Sequence, residues 1–125
     1  MRTRPAALAA DLLAVVVFVL LGRRSHDEGS AVAGTVATAW PFVTGALVGE
    51  GGVVLTGRRP DSLAAGVVVT AGAVVVGMGL RRLAGGGTPV SFVVVATTFL
   101  AVFLLGWRLA ARLVSRRRAD DRALV

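Results

Sequence analysis

The sequence predicts an all-α protein, a bundle of four membrane-spanning helices whose two termini both lie in the cytoplasm. Hydrophobic residues make up 55% of the 125 residues, and the mean hydropathy is +0.78. The apolar residues form four runs, each long enough to cross the roughly 30 Å hydrocarbon core of a bilayer. A soluble chain this short cannot bury so much apolar surface in a core of its own, so we expect one compact membrane domain over residues 1–125.

Composition excludes several classes of function. The chain has no cysteine, so disulfides, thiolate metal sites and cysteine nucleophiles are absent. A single histidine, His26, does not support a conventional zinc site, and the sequence predicts no metal and no cofactor. The net charge is +7 and every basic residue is an arginine at the edge of an apolar run, a placement typical of topology signals and lipid-headgroup contacts. No aromatic and basic platform for nucleic acid accompanies this charge, so we expect no nucleic-acid binding.

The first helix is predicted over about residues 5–22. Arg2 and Arg4 precede this run, and Pro5 suits a first helical turn. The same pattern could be a signal peptide cleaved near the small residues 31–33. The long charged segment RRSHDEG that separates the two favours a retained helix.

The second helix is predicted over about residues 36–57, with Trp40 as an interfacial aromatic. Its start has two interpretations. Either Thr38 caps a helix that takes Pro41 into its first turn, or the helix begins near Ala31 and is kinked at Pro41.

The third helix is predicted over about residues 62–80, after the turn GRRPDS, in which Asp61 or Ser62 acts as N-cap. Small residues recur on the second and third helices at spacings that allow another helix to approach closely. These candidate helix-packing residues are Gly45, Gly49, Gly66, Thr70, Ala73 and Gly77. They could pack helices within one chain or join two copies in a homodimer.

The fourth helix is predicted over about residues 89–114, starting at the Thr88–Pro89 pair. Near its end, Trp107 and Arg108 form an aromatic and basic anchor of the kind found at a membrane interface. The remaining residues, 115–125, are predicted to be a frayed basic cytoplasmic tail.

The distribution of arginines predicts the orientation. With four spans, ten of the 14 arginines lie on the side of the termini and four on the opposite side. The positive-inside rule therefore places both termini in the cytoplasm. We expect a multi-pass protein of the plasma membrane. The arginine-rich tail is expected to contact anionic lipid headgroups.

Three polar residues inside the apolar runs require an explanation, because an ionised side chain at the centre of a spanning helix costs about 2.5–3.5 kcal/mol. Asp11 and Glu50 both lie roughly 10 Å inside the cytoplasmic ends of their helices, and Arg108 is the nearest plausible counter-charge. The favoured interpretation is structural, with Asp11 paired to Arg108 or to a neighbouring hydroxyl. The first alternative is a site that handles protons or cations through Asp11, Glu50 or both. The second is that Glu50 lies in a hydrated, frayed helix end.

A charged cluster is predicted on the outer side of the membrane. It comprises Arg23, His26, Asp27, Glu28 and Arg81. His26 could sense pH or help to bind a metal, but a lone loop histidine beside acids is more often simply solvated.

One acidic residue and several short motifs occur along the chain in a characteristic order. They are Asp11, Gly22-Arg23-Arg24-Ser25-His26, Trp40-Pro41-Phe42 with Gly45, Gly77-Met78-x-Leu80-Arg81, Ser91-Phe92 and Gly106-Trp107-Arg108. The chain thereby resembles the DUF3054 family of small integral membrane proteins from bacteria and archaea. That resemblance implies four helices and no assigned activity or functional residue. It also implies an aromatic residue where this chain has Glu50, which leaves Asp11 as the better candidate for a shared role.

No Ser-His-Asp set, phosphate-binding loop or Glu-x-x-His pattern occurs, so the sequence does not predict an enzyme. The leading hypothesis is a structural or accessory membrane protein. The second is a small homodimeric transporter or channel. A wet cavity that reaches Asp11 would favour transport, and a dry interior would favour the accessory role.

Overall fold

The computed structural model describes the backbone of residues 4–26 and 31–124, and the side chains of residues 4–22 and 36–123. Every regular element in this part of the chain is a helix, as predicted. The helices are α1 (Arg4–His26), α2 (Ala31–Leu55), α3 (Leu63–Leu83) and α4 (Val90–Leu124). Each contains a segment long and apolar enough to cross a membrane. The prediction of an all-α chain whose four helices have the character of membrane spans is thus confirmed.

The second helix begins at Ala31, the earlier of its two predicted starts, and Pro41 lies inside it. Its first turns are rich in alanine, the strongest helix former, so no cap at Thr38 is needed to start the helix. Pro41 is buried against the rest of the bundle.

Glycine residues end α2 and α3, and a serine caps the start of α3. Gly57 and Gly85 follow α2 and α3 with φ of +68° and +91°, left-handed values that favour glycine. After each glycine, the next N–H donates to the carbonyl five residues earlier, which is the Schellman arrangement. Ser62 caps α3, and its hydroxyl accepts the Ala65 N–H at 3.0 Å.

The prediction that the C-terminal tail frays was wrong for residues 115–124. α4 continues without a break to Leu124 and has 35 residues, which corresponds to about 52 Å. The tail contains no glycine or proline and is rich in arginine, alanine and leucine, all good helix formers. A helix already formed in the apolar segment needs no new nucleation, so the tail extends it.

The four helices form a closed ring in chain order, with α1 also packed against α4. One end of the bundle contains the start of α1, the α2–α3 turn and the C-terminal part of α4. Arg4 donates to the Arg58 carbonyl there at 3.5 Å. We call this the arginine-rich end, since it carries Arg4, Arg58, Arg59 and the arginines from Arg108 to Arg122.

The closest helix contact is between α2 and α3, where glycines let the two backbones touch. A Cβ atom on Gly45 would lie 2.6 Å from the Gly72 carbonyl oxygen, and one on Gly49 would lie 2.7 Å from the Val69 Cα. Nearer the opposite end, Gly77 leaves room for the Phe42 ring. These predicted packing residues therefore join helices within one chain.

The remaining three predicted packing residues are buried on α3. Thr70 donates its hydroxyl to the Gly66 carbonyl at 2.7 Å, and Ala73 lies against α2 beside Gly45. Gly66 instead faces α4, where a Cβ atom would lie 2.9 Å from the Arg108 Cδ.

All five phenylalanines of the chain form one cluster that links α1, α2 and α4. Phe18 is central, with ring centroids 5.6 Å from Phe42, 6.5 Å from Phe92 and 5.3 Å from Phe99. Phe103 extends the cluster from Phe99 at 4.1 Å. Such aromatic pairs add about 0.5–1.5 kcal/mol each beyond the area that they bury.

The glycine contacts predict a sharp contrast between two substitutions on α2. Gly45→Ala should lower the free energy of unfolding by about 1–3 kcal/mol, because the new methyl group overlaps the α3 backbone. Gly51→Ala should not, because a Cβ atom there meets nothing within 4 Å. Denaturation of the two purified variants in detergent, followed by circular dichroism, measures both effects. Equal stabilities of the two variants would contradict this packing. A loss of stability that occurs only in cross-linked dimers would instead place the glycines between two copies of the chain.

Candidate functional site

A buried ion pair links the first helix to the last. Arg108 donates from Nη1 to Asp11 Oδ1 at 2.7 Å and from Nη2 to Asp11 Oδ2 at 2.8 Å. Both residues have 0% of their surface exposed. This two-point geometry is the strongest arrangement available to an arginine and a carboxylate.

The remaining polar atoms of the pair are bonded as well. Arg108 Nε donates to the Pro60 carbonyl at 3.1 Å, and Nη1 also donates to the Leu104 carbonyl at 2.8 Å. The indole Nε1 of Trp107 donates to Asp11 Oδ1 at 2.8 Å, and the Trp107 ring lies 4.4 Å from the Arg108 guanidinium carbon. Asp11 thus accepts three hydrogen bonds, and the guanidinium contacts α1, α4 and the α2–α3 turn.

Helical periodicity places both charges on inner faces. On α4, Leu100, Leu104 and Arg108 are spaced by four residues, and all three are fully buried. On α1, Asp11 continues the buried stripe that includes Ala7 and Val15. The charges therefore occupy core positions of otherwise apolar faces.

Glycine on α3 makes space for the arginine side chain. A Cβ atom on Gly66 would lie 2.9 Å from Arg108 Cδ and 2.7 Å from Leu105 Cδ2. The hydrocarbon stem of Arg108 therefore passes over Gly66 to reach Asp11.

Glu50 brings a second carboxyl group to the pair. It lies within hydrogen-bonding reach of Asp11, with the positive charges of Arg108 and Arg4 nearby. Its Oε1 atom is buried and accepts no hydrogen bond. We call Asp11, Glu50, Trp107 and Arg108 the polar cluster.

The structure thus brings together the three predicted intramembrane residues Asp11, Glu50 and Arg108. The role of Trp107 as a hydrogen-bond donor was not predicted, since its position beside an arginine at the end of an apolar run suggested an interface anchor. Gly72 was also missed. It lies outside the predicted stripe, but its counterpart Gly45 was identified.

The predicted outer cluster falls mostly outside the described residues. The side chains of Arg23 and His26 lie there, as do residues Asp27 and Glu28, so their grouping stays a prediction. Arg81 is described, and it donates from Nε to the Gly87 carbonyl at 2.8 Å while its guanidinium carbon lies 4.6 Å from the Phe92 ring centre. Arg81 therefore ties the α3–α4 loop to α4.

Among the described side chains of residues 4–22 and 36–123, no group of three or more histidine, cysteine or acidic residues could hold a metal ion. A family model described as "Protein of unknown function (DUF3054)" matches residues 8–111 of the chain. The chain belongs to the DUF3054 family. The family region of this DUF3054 protein contains the whole polar cluster and parts of all four helices. No curated protein and no solved structure matches it.

The ion pair predicts strong non-additivity between substitutions. Asp11→Leu and Arg108→Met should each lower the free energy of unfolding by about 3–5 kcal/mol, because each leaves one buried charge without a partner. The double variant should lose much less than the sum, since neither Asp11 nor Arg108 is then left as a charge without its partner.

Denaturation in detergent measures all four corners of this cycle. Arg112→Met, which removes an exposed arginine one turn further along α4, is the matched control and should have little effect. Additive losses in the cycle would show that the two side chains do not interact.

Proposed function

We propose that this DUF3054 protein is a structural or accessory protein of the plasma membrane, without catalytic activity. The observation that supports this most directly is the closure of its polar centre. Asp11 and Arg108 have no exposed surface and bond to each other and to neighbouring groups. Groups that bind a passing substrate need access to it, whereas Asp11 and Arg108 are occupied in holding helices together.

The positions of three cavities support the same proposal. They lie beside α4 on the outside of the bundle, and Asp11 lines none of the three. The space around the polar cluster is filled by the arginine stem, the Trp107 ring and the core leucines of α4. This filling by side chains favours a packing role.

We further propose that the arginine-rich end faces the cytoplasm, on the basis of the positive-inside rule. The chain lacks cysteine, so single-cysteine labelling is clean. A membrane-impermeant maleimide should label Ala84→Cys, after α3, on intact cells. It should label Ala119→Cys, in the exposed tail, only after permeabilisation. The reverse pattern would invert the proposed topology.

A second function is favoured by one specific observation. Glu50 places a buried, unbonded carboxyl oxygen beside the carboxylate of Asp11. Arg108 balances only one of these two acids, so the pair could bind a proton or a monovalent cation. On this proposal the protein would be a small transporter or channel, with Glu50 as the exchanging group.

Ion flux in reconstituted vesicles separates the two functions. For the accessory role, vesicles with the wild-type chain should take up protons, sodium and potassium no faster than protein-free vesicles. Flux that is present in the wild type and lost in Glu50→Gln would establish the second function instead. Asp120→Asn, an exposed tail acid, is the control for a general effect of lost negative charge. Glu50→Gln suits the test because it keeps the size of the side chain.

A further inference from the structure

An apolar groove runs along the outer surface of the bundle between α1 and α4. It encloses about 470 Å³ and is lined by apolar residues, among them Leu13, Val17, Val102, Phe103 and Gly106. The α1–α4 contact is the least extensive of the four contacts in the ring. The two helices therefore leave a lengthwise depression in a surface that faces lipid.

The groove continues into a second, more polar cavity at the arginine-rich end. This cavity encloses about 540 Å³, and both spaces are lined by Ala10 and Trp107. Its polar lining comes from Ser115 and Arg118 on α4 and Asp61 in the α2–α3 turn. The two spaces together have an apolar length and a polar end, as a phospholipid does.

The polar end has an excess of positive charge. A third cavity lies beside the polar one. Asp61 and Ser115 line both of these cavities, and the third is also lined by Arg59, Arg112 and Arg116. Asp61 is the acidic residue in the lining of both spaces, and Arg59 lies 3.2 Å from its carboxylate. The remaining arginines, including Arg118, are exposed and offer charge and hydrogen bonds to an anion.

The spacing along α4 matches the layers of a bilayer. If Val90 lies at one edge of the hydrocarbon core, then Trp107 is about 25 Å along the helix and Arg112 about 33 Å. A hydrocarbon core is about 30 Å thick, so the indole lies just inside its far edge and the arginine just outside. Arg118, about 42 Å along, can extend its side chain back toward the headgroups.

We infer that the α1–α4 groove binds one anionic phospholipid, with an acyl chain along the apolar length and the phosphate among the arginines at the polar end. This binding fills the weakest contact of the ring. The inference rests on the membrane insertion in the proposed function and not on the absence of ion flux, so each proposal can fail without the other.

Gly106 allows the acyl-chain part of the groove to be blocked. A Cβ atom there meets nothing within 4 Å, so the leucine of Gly106→Leu can project into the groove without disturbing the helix packing. Gly51→Leu is the matched control, because Gly51 is equally open and lies on α2, across the ring from α4. For the headgroup, Arg118→Gln removes a charge that lines the cavity, and Arg122→Gln removes one further along the tail.

The experiment titrates the full-length chain in detergent with phosphatidylglycerol or phosphatidylcholine and counts bound lipids by native mass spectrometry. The wild type should retain one phosphatidylglycerol in preference to phosphatidylcholine. Gly106→Leu should lose most of this binding, and Gly51→Leu should keep it. Arg118→Gln should weaken phosphatidylglycerol binding about fivefold, the factor that roughly 1 kcal/mol for one arginine corresponds to. Arg122→Gln should have a smaller effect.

Three results would overturn the inference. Equal retention of phosphatidylglycerol and phosphatidylcholine by the wild type would show that headgroup charge does not determine binding. Equal losses in Arg118→Gln and Arg122→Gln would indicate diffuse attraction to the tail and no defined site. Loss of a chemically cross-linked dimer in Gly106→Leu, with phosphatidylglycerol retention unchanged, would assign the groove to a second copy of the chain.

Discussion

The fold depends on one buried arginine that is neutralised where it enters the apolar bundle. Arg108 reaches the first helix through Asp11, the α2–α3 turn through the Pro60 carbonyl, and its own helix through Leu104. Without a partner this charge would cost several kcal/mol at its depth, so the arrangement exists only when α1 and α4 are side by side. The contact between α1 and α4 is the least extensive of the four in the ring, and the ion pair specifies a contact that packing alone specifies weakly.

The two halves of the bundle solve the packing problem differently. Toward the arginine-rich end, Arg108 and Asp11 give α1 and α4 a directional contact. Toward the other end, Phe18 packs against Phe42 and Phe92, so α1, α2 and α4 meet through aromatic rings. Between α2 and α3 neither device is used, because glycine lets the backbones touch. Lipid offers no hydrophobic drive between helices, so contacts of these three kinds must supply the specificity.

Much of the fold was predictable, because apolar runs bounded by arginine and proline have few alternatives in a bilayer. The pairing of Asp11 with Arg108 was also predictable, because a buried acid needs a counter-charge and few basic residues were within reach. The hydrogen bond from Trp107 was not, because its side-chain direction depends on the rotation of α4 about its axis. The helical tail was missed because its charges suggested solvation, whereas its continuity follows from the helix before it. The proximity of Glu50 to Asp11 could not be predicted from the sequence, because it depends on the packing angle between α1 and α2.

The charge balance of the polar cluster distinguishes Glu50 from the other three members. Asp11, Trp107 and Arg108 form a neutral and bonded set, and such a set has a complete structural role without any ligand. It also draws α1 into the bundle, because Asp11 lies on that helix. Glu50 is additional to that set, because its buried Oε1 atom has no hydrogen-bond donor. The packing of the set does not explain a buried oxygen without a donor, so the proposed proton or cation site centres on Glu50.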